Sequence, residues 1–510
     1  MLEAPALYAA DGWDIARLVE LLHGEGVAVG APRRVVRTVL DTFDGLVHAA
    51  GLRLTAHTER GAHTVSLTGD DVVGVQITLG AEPVWPTDLP PGPLRSRLVA
   101  IVDVRALLPV VRIDTVERDA VRYDGRRKEI LRATVVEAAR VGDTALVTAP
   151  LVEVVPLVGY PKPATELADV LVRRGARRLD GDLVGLTGVD LGGYSASPTV
   201  PLEPQMPALA GWCAVLANLA STARANWAGT LAQIDTEFLH ELRVAVRRSR
   251  SILGHAEGII PDDVLAPAAD GFAAIGTATG PARDFDVQLL AWPEQLARLG
   301  SSAADLEPVH DLLVERHRAA HAALDAALTD PATIAWLDAW CAWLADPGDG
   351  SGAPLGEVVA APLGDVVAAR IRKAHKRIIR DGRQITPDSP PEALHDLRKQ
   401  AKKLRYLLEC FASLLPDAER KRFVKALKVL QDNLGEHQDA EVHVQELRDV
   451  GTEVHRLGAP AGTMFALGEL SAQIDGQRAA ARAEFAERFA EFDTEPTRQA
   501  LRAMLADLES

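Results

Sequence analysis

Hydrophobic positions follow two different rhythms along this chain. Before about residue 185, short Val- and Leu-rich runs at 34–40, 64–67, 72–78, 98–104 and 130–136 are separated by Gly, Asp and Pro. That spacing predicts antiparallel strands, with helices over 14–22 and 164–174. From Ala208 onward the apolar residues recur every three or four positions, the period of amphipathic helices. Helices are predicted near 208–232, 237–254, 262–276, 284–299 and 304–344, then near 355–380, 392–415, 418–433, 437–456 and 459–507. Between the two regimes, Thr187 to Met206 gathers Gly-Gly, Ser-Pro and further prolines and reads as a linker. The expected fold is α+β in two domains. An antiparallel, barrel-like domain occupies 1–186, and an all-α domain of short-looped bundles occupies 207–510.

One helix carries the strongest pattern. Leu394, Leu397, Ala401, Leu404, Leu408 and Phe411 form its apolar stripe. His395, Arg398, Lys402 and Arg405 form a second stripe at i, i+3, i+7 and i+10, with Lys399 and Lys403 beside it. Cations aligned along a helix repel one another, so an anion is expected to compensate them. The arrangement also stands 155 residues earlier (240 against 395), without a gap. His240, Arg243, Arg247, Arg248 and Arg250 match His395, Arg398, Lys402, Lys403 and Arg405. The register persists to Gly280 and Asp284, which match Gly435 and Asp439. A fixed offset held over such a length marks an internal duplication, with copies at 207–346 and 353–510 joined at Pro347 to Gly352.

Charge separates the copies. The protein carries a net charge of −16, which argues against a general nucleic-acid binder. Yet residues 370–428 hold 17 Lys/Arg against 7 Asp/Glu. Arg370, Lys373, Arg377 and Arg380 make one further stripe, and Lys421, Lys425 and Lys428 another. The first copy has Ala266, Asp270 and Ala273 where the second has those lysines. A lone charged stripe is ordinarily a solvated face. Here the stripes repeat, cluster and have few acidic neighbours at i±4, so three helices of the second copy are expected to converge on one anion-binding groove.

The His-x-Leu-Arg-x3-[Arg/Lys]-[Arg/Lys]-x-Arg pattern, followed by Gly-x3-Asp and present twice, resembles the CHAD domain, the conserved histidine α-helical domain. The resemblance covers about 207–510. It implies two four-helix bundles related by a pseudo-twofold axis, with a basic channel that binds inorganic polyphosphate. The N-terminal part is similar, more weakly, to the CYTH or triphosphate tunnel metalloenzyme domain. That likeness rests on Leu40-Asp-Thr42, Ala50 to Leu54, Ser66 to Thr68, Arg118 to Arg122 and Glu153, in the family's order and ahead of a CHAD-like half. The departures are substantial. Residues 1–13 lack the family's Glu-x-Glu-x-Lys strand, Thr55 and His57 replace its arginines, Thr68 replaces its lysine, and the closing glutamates are reduced to Glu153. Triphosphate hydrolysis in such a tunnel needs carboxylates for divalent metal and cations for phosphate. With both depleted, no catalytic residues and no cofactor are expected, and Arg53, Arg118 and Arg122 read equally well as surface residues.

The expected function is therefore non-enzymatic binding of inorganic polyphosphate, placing the protein in the cytosol or on polyphosphate granules. Aromatic residues make up only 5% of the chain and are sparse among the stripes, whereas single-strand nucleic-acid binders interleave aromatics with cations. A base-free polyanion fits better than a specific nucleic acid. The alternatives are a triphosphatase or polyphosphatase using a divergent tunnel, and an adaptor whose N-terminal domain holds a protein partner. Neither His240 nor His395 has metal-ligand spacing, so packing or hydrogen bonding is expected of both and no metal site is read. Asp284 and Asp439 are expected to cap helices or to brace a basic residue of the other copy. Cys213, Cys341 and Cys410 are too scattered for a disulfide framework. Nothing in the sequence reads as a signal peptide or a membrane span.

Overall fold

The computed structural model describes residues 5–69, 72–192, 194–195, 199–347, 360–506 and 508. It divides into two compact units, Met1–Ser195 and Ala196–Ser510. The joint expected at 347–352 lies outside the described residues apart from Pro347.

The first unit runs β1 (Ala6–Ala9), α1 (Ile15–Gly24), β2 (Ala28–Val29), β3 (Arg33–Asp41), α2 (Leu46–Ala49), β4 (Leu52–Glu59), β5 (Ala62–Gly69) and β6 (Val72–Leu79). It continues with α3 (Pro93–Val102), β7 (Leu108–Tyr123), β8 (Glu129–Val141), β9 (Thr144–Ala145), β10 (Leu151–Val155), α4 (Pro161–Arg173) and β11 (Arg177–Leu179). The strands form one sheet in the order β11-β1-β10-β8-β7-β3-β4-β5-β6, with β2 on β7 and β9 on β8. Every pairing is antiparallel. The path runs from β11 at one end to β6 at the other. Strand alternation sorts β4: Leu52, Leu54 and Ala56 are buried, while Arg53, Thr55 and His57 face the other way. Asp14 caps α1 by accepting the Arg17 N–H at 2.8 Å, and Leu18 and Leu22 bury its inner face.

One expected strand is a helix. The run 98–104 lies largely in α3, where Leu94, Leu98 and Val102 are buried at steps of four and Val99 is exposed. A short β-branched run has no diagnostic period of its own. Pro93 at the first helical position and the apolar cluster of Leu40, Leu54 and Leu67 beneath decide it.

The second unit comprises α5 (Ala208–Leu231), α6 (Thr236–Leu253), α7 (Asp262–Leu299), α8 (Glu307–Thr329) and α9 (Pro331–Ala345). After the joint come α10 (Leu363–Gly382), α11 (Pro391–Cys410), α12 (Asp417–Arg456), α13 (Ala461–Phe492) and α14 (Glu495–Ala506). Packing between the copies is reciprocal: α5 meets α10, α6 meets α11, α7 meets α13 and α8 meets α12. One apolar core draws Trp212, Phe272, Phe411, Phe423 and Phe492 from both copies. A second core joins Trp292, Val309 and Leu313 to Val444, Leu447 and Leu470.

Two helix breaks expected from sequence do not occur. In α7, Phe272, Ile275, Thr279, Ala282 and Asp286 stay buried in register through Gly280-Pro281. In α12, Leu427, Leu430, Leu434, Ala440 and Val444 do the same through Gly435. Continuous burial outweighs the ~1 kcal/mol cost of glycine and the ~3 kcal/mol cost of proline in a helix. Conversely, the single helix expected over 304–344 breaks at Asp330, which accepts the Ala332 N–H at 2.9 Å and precedes Pro331 at the start of α9. The segment 459–507 likewise divides into α13 and α14.

Candidate anion-binding site

The apolar stripes seat α6 and α11 against each other, with Leu242 and Val246 buried on one helix and Leu397 and Leu404 on the other. Their charged stripes then flank a common seam. Lys402 is half-buried there, and its pKa falls to about 8 through burial first, then through the positive charges of Arg398 and Arg247. Cations of the two copies thus face each other across the seam.

Each stripe arginine next to the histidine turns toward its own copy's long helix. Arg398 pairs with Asp439 at 3.0 Å. Arg243 lies 3.9 Å from Asp284 and donates to Thr279 Oγ1 at 3.3 Å and to the Gly276 carbonyl at 3.4 Å. The two aspartates sit inside α7 and α12, so they cap nothing, and each braces the arginine of its own copy rather than of the other. The glycines one turn earlier lie beside the guanidinium, tightly only in the first copy. A Cβ at Gly280 would stand 3.3 Å from Arg243 Nη1, and one at Gly435 would stand 3.8 Å from Arg398 Nη2. Gly-x3-Asp is therefore an arginine seat. His395 Nδ1 meets the Gln438 side-chain amide oxygen Oε1 at 2.5 Å, a hydrogen bond to α12. His240, also half-buried, lies with Glu237 and Glu241 in one group.

The outer residues differ between copies. Arg248 pairs with Glu409 of the second copy at 3.0 Å, and Glu409 also holds Arg405 at 2.7 Å. Lys403, the counterpart of Arg248, has no such carboxylate among the described residues. It lies with Arg370 and Lys373 around His255, whose pKa falls to about 4 through burial first and then those three cations. Arg370 also donates to the Glu257 carbonyl at 2.7 Å. Arg250 lines a cavity with Glu257, Asp262 and Asp270, an acidic setting.

Several stripe cations have acidic neighbours after all. Lys399 pairs with Asp396 at 2.6 Å, Arg377 with Asp381 at 3.7 Å, Arg380 with Asp381 at 2.6 Å and Lys421 with Asp417 at 2.6 Å. Among the described residues, Arg247, Arg250, Lys373, Lys402, Lys403, Lys425 and Lys428 form no ion pair. The cations of α11 also divide. Arg398, Lys402 and Arg405 adjoin α6 and α12, whereas Lys403 adjoins α10 and the 255–257 turn. The expected single groove is thus two adjoining basic surfaces on one helix, while Lys425 and Lys428 lie exposed on α12.

The family model for the CHAD domain matches residues 214–448, a span that includes both histidine stripes and both Gly-x3-Asp seats. The C-terminal unit carries a CHAD domain. No curated protein matches the chain. Among solved structures, the CHAD domain from the plant Ricinus communis aligns at 23% identity and a TM-score of 0.44, covering 60% of this chain and 96% of that one. PptA from Streptomyces chartreusis aligns at 19% identity and a TM-score of 0.43, covering 56% and 99%. A provisionally assigned adenylate cyclase from Bacillus halodurans aligns at 12% identity and a TM-score of 0.28, covering 36% and 94%.

The N-terminal unit holds a charged cluster that the sequence reading missed. Arg37 donates to Glu117 at 2.7 Å and to Glu153 at 2.9 Å, with His57 opposite it in register. Burial opposes the Arg37 charge, but Glu153 and Glu117 outweigh it and raise the pKa. Burial works against the Glu117 carboxylate, but Arg37 more than offsets it and holds the pKa below the ordinary range. Arg33 joins the edge of the cluster through Glu59 at 2.9 Å and Asp119 at 2.7 Å. The arginines singled out from sequence lie elsewhere, paired with acidic residues: Arg53 with Asp182, Arg118 with Glu137 and Arg122 with Glu166. The available signal was Arg33-x3-Arg37, which puts two arginines on one face of a strand. Their partners on β7 and β10 are too distant in sequence to infer. Among the described residues no helix is long and apolar enough to cross a membrane.

Proposed function

We propose that the CHAD domain binds inorganic polyphosphate along α11, at the α6–α11 seam and the adjoining Lys403/Arg370/Lys373 surface. The observation that supports this most is the state of Lys402. A half-buried ammonium pressed by Arg247 and Arg398 is an electrostatic cost that a polyanion would relieve. Lysine supplies point charges and arginine supplies forks to phosphate oxygens, and a polyphosphate chain presents those oxygens with no bases to stack. The second copy dominates in this reading because, among the described residues, Lys403 lacks the counter-charge that Glu409 gives Arg248. Such binding would hold the protein on polyphosphate granules.

The same reading gives the N-terminal unit no hydrolytic role. Glu117 and Glu153, the carboxylates of the N-terminal charged cluster, are both engaged by Arg37. Its remaining role is as a surface for a protein partner. The deciding experiment titrates the full chain with long-chain polyphosphate, tripolyphosphate and RNA at two salt concentrations. Long-chain polyphosphate should bind most tightly and lose affinity steeply with salt, by counterion release. A preference for RNA overturns the proposal. Phosphate release from tripolyphosphate with Mg²⁺ or Mn²⁺, abolished by a substitution at Glu117, would overturn the non-catalytic assignment.

A further inference from the structure

In the first copy, Asp286 of α7 faces two histidines of α8. His317 Nε2 and His321 Nε2 both lie 2.9 Å from the same oxygen, Asp286 Oδ1. The two imidazoles sit one turn apart on one helix face, with ring centroids 4.4 Å apart. Asp286 is only 3% exposed and His321 only 7%. The second carboxylate oxygen, Asp286 Oδ2, is buried with no hydrogen-bond partner. Among the described residues no Arg or Lys pairs with Asp286; its only ion-pair partners are the two histidines. A buried carboxylate is costly unless a cation compensates it.

The second copy handles the matching place differently. At the fixed repeat offset, Asp286 corresponds to Glu441, and around neighbouring His437 stand Glu441, Arg478 and Arg482. The latter two are arginines one turn apart on α13. Arg478 pairs with Asp475 at 2.8 Å, and Arg482 donates to the Thr386, Pro387 and Ser389 carbonyls. At the same offset His317 and His321 correspond to Ala472 and Gly476, so the second copy has no counterpart of the histidine pair.

We infer that Asp286, His317 and His321 form a binding site for a divalent transition-metal ion of the zinc class. Two imidazole nitrogens and one carboxylate oxygen are an ordinary ligand set for such ions, which sit about 2.0–2.2 Å from each donor. Tetrahedral ligand atoms at that radius are about 3.3 Å apart, so the 2.9 Å contacts would open by a few tenths of an ångström. His317 keeps 26% of its side-chain surface exposed, which provides an entry path and room for water as a fourth ligand. The ion would supply the cation that Asp286 otherwise lacks and would clamp α7 to α8.

The test uses the full chain, stripped with chelator and titrated with Co²⁺ in buffer free of phosphate and polyphosphate. One equivalent should bind and give the visible absorption of a low-coordinate Co²⁺ site, and Zn²⁺ should displace it. His317→Ala, at the half-exposed ligand, should weaken Co²⁺ at least tenfold while circular dichroism stays unchanged. His321→Gln, which preserves size, should do the same. Absence of stoichiometric binding, or binding indifferent to both substitutions, would make the cluster a hydrogen-bonded set only and overturn the inference. Loss with His240→Gln but not with His317→Ala would move the ion to the Glu237/His240/Glu241 group and overturn it equally.

Discussion

The outer ends of α6 and α11 are the same element used twice, yet their electrostatics differ. Arg248 faces Glu409, in a cavity with Val215 and Asn218. Its counterpart Lys403 faces His255, with Arg370 and Lys373 at the places of Val215 and Asn218. The fixed offset makes the exchange explicit: Glu409 corresponds to Gly254, and Cys410 to His255. Each copy's basic residue is thus completed by the end of the other copy's helix. A repeat can keep its packing residues and still divide its labour, because buried apolar contacts set the fold whereas a few rim charges set the field.

The largest effect should come from reversing charge on the second copy. Lys402→Glu/Lys403→Glu should lower long-chain polyphosphate affinity by roughly two decades or more, because a charge-assisted contact is worth about 1.5–3 kcal/mol and about 1.4 kcal/mol is one decade. The matched Arg247→Glu/Arg248→Glu should cost roughly one decade, mostly through Arg247 at the shared seam. Circular dichroism checks that both remain folded. Equal losses in the titrations would break the comparison and make the site symmetric.

A smaller, opposite effect should follow from Glu409→Gln. It removes the carboxylate that holds both Arg248 and Arg405 while keeping size. Polyphosphate affinity should rise by up to about tenfold, roughly one charge-assisted contact, with a steeper salt dependence. An unchanged affinity would show that Arg248 is too remote from the ligand to contribute.

The pH response should be modest and its sign is fixed. Lys402 has its pKa lowered to about 8, so its charged form is disfavoured in the folded protein. Its destabilising effect is fully present below about pH 8 and is relieved as pH rises from there toward the unfolded value of about 10.4. Polyphosphate favours the ammonium, so its affinity should fall as pH rises through about 8. Lys402→Arg should flatten that profile in titrations at pH 7, 8 and 9. A drop that persists in Lys402→Arg would assign the titration to another group.

The smallest effects should come from the paired glycines. Both lie inside helices, so Gly435→Ala should raise stability by up to about 1 kcal/mol. Gly280→Ala should gain less, because its new Cβ crowds Arg243 at 3.3 Å rather than Arg398 at 3.8 Å. Thermal melts of the two variants check the order. A clear fall in melting temperature for Gly435→Ala would reveal tighter packing than these distances imply.

Much of the helical half was legible in sequence because its signals are local or periodic. The apolar stripe from Leu394 to Phe411 needs only the helical period, and the duplicated histidine stripe needs only a constant offset. The charged cluster of the N-terminal unit was hidden for the opposite reason. Arg37 meets Glu117 and Glu153 across strand pairings that no local pattern announces. The histidine pair at 317 and 321 was a readable His-x3-His spacing, but its third member, Asp286, comes from another helix.

By itself the amino-acid sequence determined the amphipathic helices, the duplication, the second copy's excess of Lys and Arg, and four of the strands, β3, β5, β6 and β8. These follow from side-chain period and composition, which belong to neighbouring residues. Tertiary structure decided where helices truly end, since burial carried α7 and α12 straight through Gly280-Pro281 and Gly435. It turned 98–104 from a strand into a helix by offering α3 an apolar bed. It also decided which cations are compensated, because Glu409 reaches Arg248 only after α11 packs on α6. Charge is written residue by residue, but its neutralisation depends on distances that exist only in the folded chain.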